Sequence, residues 1–134
     1  MINTYVLSIG SNAVDKAERL AFGFDELRSR LVVVARSEAY VTPALNGRDA
    51  DYLNAVAVVQ ADIDFDNLNV LLKQIETLGG RTPQSKMSGV IPLDLDIVIA
   101  LGNVVRPGDF DRQYFQIGWN QIKRIWQNIN DSDR

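Results

Sequence analysis

An α+β fold built on one antiparallel sheet is what this sequence predicts, and three observations predict it. Short β-branched runs alternate with segments whose apolar residues recur at helical spacing, in the order β-α-β-β-α-β-α. The second and third runs follow one another with only a polar loop between them. Most of the junctions carry Gly, Pro, Asn or Asp, the residues that turn a chain or cap a helix.

The first run, Tyr5 to Ile9, reads as a strand and ends at Gly10-Ser11-Asn12, a turn and helix-start signal. Val14, Ala17, Leu20, Ala21, Phe24, Leu27 and Leu31 then recur at helical spacing. LVVVA opens a second strand that continues through SEAYV to Thr42-Pro43. After the loop LNGRDAD, residues 52–61 (YLNAVAVVQA) form a third strand, antiparallel to the second.

Asp64 to Asn67 offer caps for a second amphipathic helix marked by Leu68, Leu71, Leu72, Ile75 and Leu78, and Gly79-Gly80 stops it. The connection RTPQSKMSGVIP is twelve residues long, long enough to be a candidate functional loop. IPLDLDIVIAL, residues 91–101, is the fourth strand. VVRPGDFD is irregular, and Phe115, Trp119, Ile122, Trp126 and Ile129 then keep a helical seam, with both tryptophans expected in the core.

The first six elements match the ferredoxin-like βαββαβ arrangement, an antiparallel sheet with helices on one face, to which a C-terminal helix is added. The opposite face of the sheet should then be free for a site. No repeat or linker divides the chain, so one domain over residues 1–134 is expected.

Composition narrows the chemistry. Hydrophobic residues make up 46% of the chain and charged residues 23%, enough for a real core. The formal net charge is −3, which argues against a general nucleic-acid binder. No cysteine is present, which excludes disulfides and thiolate chemistry. No histidine is present either, so carboxylates, Lys and Tyr are left to carry protons. A metal would need oxygen ligands, which suits a hard cation such as Mg²⁺. The N-terminus lacks a basic and apolar leader, and no segment approaches transmembrane length. A cytoplasmic protein without a membrane partner is the expectation, its oligomeric state open between monomer and weak dimer.

The fourth strand carries the chemistry. Strict alternation places Ile91, Leu93, Leu95, Ile97, Ile99 and Leu101 on one face, and Asp94, Asp96, Val98 and Ala100 on the other. Same-face residues two apart have Cα atoms about 6.5–7 Å apart, so Asp94 and Asp96 can reach one ion. In low dielectric such a pair repels, and one member holds its proton. A divalent cation removes the conflict, making the pair a candidate metal site. The competing reading is a charged strand open to water, where such residues discourage edge-to-edge aggregation.

Gly10-Ser11-Asn12, the Thr42-Pro43…Leu45 stretch, DYLNAV (Asp51 to Val56), Gln74 to Glu76 with Gly80-Arg81, and LDLDI (Leu93 to Ile97) occur in that order. Together they resemble the 6-hydroxymethyl-7,8-dihydropterin pyrophosphokinase family of folate biosynthesis, from about residue 4 to 105. The resemblance implies transfer of a diphosphoryl group from ATP to the pterin hydroxymethyl oxygen. It makes Asp94 and Asp96 the Mg²⁺ ligands, acting catalytically with Arg81. It places Thr42, Pro43, Leu45, Tyr52 and Asn54 around the pterin, with Tyr114 as the stacking ring and Asn54 offering both donor and acceptor. Glu76 would face the adenosine, and Arg81, Lys86 and Arg112 the phosphates. The Gly10-Ser11-Asn12 stretch itself reads chiefly as a turn and helix cap.

The sequence departs from the family on the nucleotide side. Ser88, Gly89, Val90 and Ile91 stand where the family has Trp-Gly-Pro-Arg, leaving Lys86 as the loop's sole cation after Arg81. The segment after Asn103 is shorter than the family's and lacks its Pro-His, though Arg106 lies there as a substitute cation. Three readings follow: an active kinase with a divergent ATP clamp, a pterin- or metal-binding relative with little activity, and a structural module that keeps the fold alone.

Overall fold

The computed structural model describes residues 1–132. The chain opens with β1 (Asn3–Ser11), crosses over through α1 (Lys16–Arg30) and returns as β2 (Val32–Arg36) and β3 (Tyr40–Thr42). A loop leads to β4 (Tyr52–Ala61), followed by α2 (Phe65–Leu78), the single turn α3 (Ser85–Ser88) and β5 (Asp94–Ala100). A two-residue β6 (Asn103–Val104), the turn α4 (Pro107–Phe110) and α5 (Gln113–Ser132) complete the fold. The six strands form one sheet in the order β2-β4-β1-β5-β6, with β3 also paired to β4. Every pairing is antiparallel. The βαββαβ arrangement with an added C-terminal helix is therefore the one expected. Among the described residues, no helix is long and apolar enough to cross a membrane.

Alternation along the strands builds two cores. Tyr5, Leu7 and Ile9 of β1, Ala55, Ala57 and Val59 of β4, and Leu95 and Ile97 of β5 face Leu20, Phe24 and Leu27 of α1 and Leu68, Leu72 and Ile75 of α2. On the reverse face, Val6, Val56, Val58, Val98 and Ile99 meet Phe115, Trp119 and Ile122 of α5. The sheet is thus covered on both sides, and the open second face expected from sequence is mostly closed by α5. Gly118 makes that closure possible: a Cβ there would lie 2.7 Å from Val56 Cγ2 and 2.8 Å from both Ser37 Oγ and Tyr40 Oη.

Other expectations need correction. The strict alternation drawn for residues 91–101 holds through Val98 and fails from Ile99 on, because the pairing of β1 with β5 slips between Val6 and Leu7. Leu7 pairs with Ile97, yet Val6 pairs with Ile99, so one extra residue bulges. Ile99 consequently joins Val98 in the α5 core, while Ala100 turns to the other. Leu101 sits exposed in a turn at φ 51°.

The single second strand is two strands, broken where Ser37 Oγ accepts the Val56 N–H at 2.9 Å and donates to Glu38 O. Val14, Ala17 and Ala21 are exposed, because α1 begins only at Lys16 and buries Leu20, Gly23, Phe24 and Leu27. Leu78 is likewise exposed. The cap at Asp64 is present, its Oδ1 accepting the Asn67 N–H at 2.8 Å.

Asn12 does not cap α1. It is buried, donates to Gly89 O at 2.8 Å and accepts the Ile91 N–H at 2.6 Å, fastening the 81–92 connection to the end of β1. The N-cap of α1 is Asp15, whose side chain makes no capping bond.

Candidate active site

The reverse face of the sheet changes character along its length. In β1 the residues on that face run Val6, Ser8, Gly10, so side-chain volume shrinks just where α5 ends its cover. Register does the rest. Ser8 pairs with Asp96 and Gly10 with Asp94 on one side, while Ser8 pairs with Val56 and Gly10 with Asn54 on the other. Tyr40 and Thr42 of β3 pair with Asn54 and Tyr52. The small residues form a floor, and the polar ones stand around it.

The result is a cleft of about 330 Å³. The residues expected on the pterin side, Thr42, Pro43, Leu45, Tyr52, Asn54 and Tyr114, all line it, and so do Asp94 and Asp96. This convergence links β3, β4 and β5 with the first turn of α5. A concave site of this size, with apolar and aromatic walls and a few fixed polar groups, suits a small flat ligand.

Asn54 is buried, and its Nδ2 donates to Thr42 Oγ1 at 2.8 Å, with further contacts to Tyr40 O and Tyr52 O. The donor half of the amide is thereby consumed within the protein. Oδ1, which lies toward Gly10, is left to accept. The expectation that Asn54 offers both functions reduces to one.

The aspartates differ in setting. Asp94 is open and accepts from Arg81 Nη1 at 2.9 Å. Asp96 is more enclosed, with Lys73 Nζ at 3.7 Å and Arg106 Nη1 at 3.8 Å from its Oδ1. Burial, reinforced by the charge of Asp94, pushes the Asp96 carboxyl up to about 6 against the pull of Arg106 and Lys73. A close carboxylate pair with one member reluctant to ionise is the donor set that a hard divalent cation relieves. No group of three or more acidic ligands forms among the described residues, so any ion here would complete its shell with water or ligand oxygens.

The residues expected on the nucleotide side lie elsewhere. Glu76 is buried beneath the exposed edge of β5, where its Oε2 accepts the Leu95 N–H at 2.8 Å and pairs with Lys73 at 3.1 Å and Arg81 at 3.4 Å. Burial raises its carboxyl despite those partners. Arg81 is spent on Asp94 and Glu76 and does not line the cleft. Lys86 stands exposed on α3, and the 81–92 connection contributes nothing to the cleft lining. Arg112 borders a shallower hollow that shares Leu45, Arg106, Asp109 and Tyr114 with the main cleft.

Asp49, Arg106 and Asp109 add further charges to the wall. Arg106 was legible as a substitute cation, whereas Asp109 was not foreseen. The available signal was local: a Pro at the first helical position of α4 with Arg and Asp three apart around it. Asp109 accepts from Arg106 Nε through one oxygen and from the Tyr114 hydroxyl through the other. Burial and the Asp109 charge together drive the Tyr114 phenol far up. Four carboxylates against one guanidinium line the cleft among the described residues, so an anionic ligand needs cations brought with it.

The family model of 7,8-dihydro-6-hydroxymethylpterin-pyrophosphokinase matches residues 6–124. No curated protein matches the chain.

Proposed function

Because the chain belongs to the 7,8-dihydro-6-hydroxymethylpterin-pyrophosphokinase family, we propose that it transfers diphosphate from ATP to 6-hydroxymethyl-7,8-dihydropterin with Mg²⁺. The observation that carries this reading is the meeting of Asn54, Thr42, Tyr52 and Tyr114 with Asp94 and Asp96 in one cleft. Asn54 Oδ1 accepts an N–H of the heterocycle, Leu45 and Pro43 pack its apolar edge, and Tyr114 covers its face. The hydroxymethyl oxygen then points toward the aspartates. That oxygen releases its proton to water and bonds to the β-phosphorus, the bond from the β-phosphorus to the α-phosphate oxygen breaks, and AMP leaves. Asp94 and Asp96 would hold Mg²⁺, which supplies charge neutralisation on the phosphates. Arg106, which lines the cleft and reaches to 3.8 Å from Asp96, is the cation placed to share that task.

A second reading, a relative that binds pterin but transfers slowly, is favoured by one observation. Among the described residues the single cation lining the cleft is Arg106, already paired with Asp109, and Arg81 is engaged below. Loss of one charge-stabilising group from a transfer site commonly costs about a hundredfold in rate.

Calorimetry tests the proposal. Mg²⁺ with an unreactive ATP analogue is expected to bind wild type and to lose affinity in Asp96→Ala, while 6-hydroxymethylpterin binds both. Unchanged nucleotide affinity in the variant would remove the shared metal site.

A further inference from the structure

We infer that Asp109 is a positioning residue that couples the two halves of the cleft, so that the ring of Tyr114 and the guanidinium of Arg106 are set together. The inference rests on the proposed function for the identity of the ligands and goes beyond it in assigning a role to α4.

The geometry is that of a two-armed carboxylate. One oxygen of Asp109 takes the Arg106 Nε–H, and the other takes the Tyr114 hydroxyl. The far end of the Arg106 guanidinium reaches toward Asp96, 3.8 Å away. Asp109 therefore stands between the ring expected on the heterocycle and the cation that lines the cleft beside Asp96. A shift of either arm turns the carboxylate and moves the other.

The frame around this carboxylate is fixed. Phe110, the next residue, packs against Phe115 and Trp119 with ring centroids 5.5 and 6.3 Å apart. Its carbonyl accepts from Gln116 Nε2 at 2.6 Å. On the other side, Val105 N–H donates to Val98 O at 2.9 Å, holding the backbone beside Arg106 to the bulge of β5. Tyr114 is anchored in turn, its carbonyl accepting the Tyr40 hydroxyl at 2.6 Å. With the backbone pinned at each end, side-chain rotation is the freedom that remains.

A purely structural role explains less. Arg106 is half exposed, and an i,i+3 pair of that kind contributes only a few tenths of a kcal/mol to about 1 kcal/mol. The backbone bonds named above hold α4 without it. What the pair and the phenol bond supply is orientation.

The test measures binding, not turnover, with 6-hydroxymethylpterin followed by its own fluorescence and with Mg²⁺ plus α,β-methylene-ATP followed by calorimetry. Tyr114→Phe keeps the ring and deletes the hydroxyl. It is expected to weaken the nucleotide by about fivefold or more at an unchanged melting temperature. Arg106→Gln is expected to weaken the pterin by a similar factor, and Asp109→Asn to weaken both. Adding Tyr114→Phe to Asp109→Asn should add little. If wild type binds both ligands, but Tyr114→Phe affects only the pterin and Arg106→Gln only the nucleotide, the coupling is refuted and the proposed function stands. If wild type binds neither ligand, the proposed function falls and takes the coupling with it. The two single variants decide the matter even where Asp109→Asn fails to fold.

Discussion

Asn54 donates to Thr42 Oγ1 over 2.8 Å, and this one bond decides which half of the amide is available to a ligand. The carbonyl oxygen remains free to accept, above a floor that has no side chain at Gly10. Asn54→Ala removes that acceptor and leaves the Thr42 hydroxyl without its donor. Pterin affinity should fall by roughly 1–3 kcal/mol, about five- to 150-fold, in a fluorescence titration. Thr42→Val should cost less, because Asn54 keeps Tyr40 O and Tyr52 O as partners. Equal affinities in wild type and Asn54→Ala would place the pterin elsewhere.

Asp96 gives the protein a pH signature. Its folded-state carboxyl is raised from 3.8 to about 6, so between those values the folded state holds a proton that the unfolded state releases. Its contribution to stability is therefore full below about pH 4 and falls as pH rises through about 6, by roughly 2–3 kcal/mol. Urea unfolding of wild type and Asp96→Asn should show the difference: the variant gains on wild type as pH rises from 4 to 7. Mg²⁺ affinity of wild type should rise over the same interval as the proton leaves. A constant difference between the two proteins across that range would contradict the assignment.

Gly118 is required by the close approach of α5 to the sheet. Its replacement by Ala recovers about 1 kcal/mol of helix propensity, yet the added methyl meets Val56, Ser37 and Tyr40 at under 3 Å. The crowding should win, for a net loss of roughly 1–2 kcal/mol in urea unfolding. Because Tyr40 also holds Tyr114, pterin affinity should drop in the same variant. A Gly118→Ala protein as stable as wild type would mean that α5 sits farther from β4.

Glu76 should matter for folding before it matters for nucleotide. Glu76→Ala strands the Leu95 N–H and removes the buried partner of Lys73 and Arg81, a loss of about 3 kcal/mol. Glu76→Gln keeps an acceptor for Leu95 and should recover part of it. Both are read by denaturant unfolding. A fully stable Glu76→Ala that binds nucleotide poorly would restore Glu76 to the adenosine.

Much of this architecture was legible because β1 and β4 are short apolar, β-branched runs and the period-3.6 pattern is strong in α2 and α5. The bulge at Val98 was hidden, since Ile97, Val98 and Ile99 are all apolar and one extra residue leaves no trace in such a run. The cover of α5 over the second face had a signal that strict alternation obscured. AVAVV in β4 is apolar at successive positions, as expected of a strand buried on both faces. In the cleft, Asp94, Asp96 and Asn54 were readable from strand alternation combined with motif resemblance. Asp109 was not, because its meaning comes from Tyr114, a residue on the next helix. Arg81 and Glu76 show the converse: motif position placed Arg81 near phosphate and Glu76 near adenosine, but the bare edge of β5 needed a buried acceptor and Asp94 a cation.

Phosphorus NMR of the purified protein with Mg²⁺, ATP and 6-hydroxymethyl-7,8-dihydropterin tests the central claim most directly. The account predicts signals of AMP and a pterin diphosphate, both dependent on Mg²⁺ and both lost in Asp96→Asn. ATP left intact by wild type, or consumed equally well by Asp96→Asn, would contradict it.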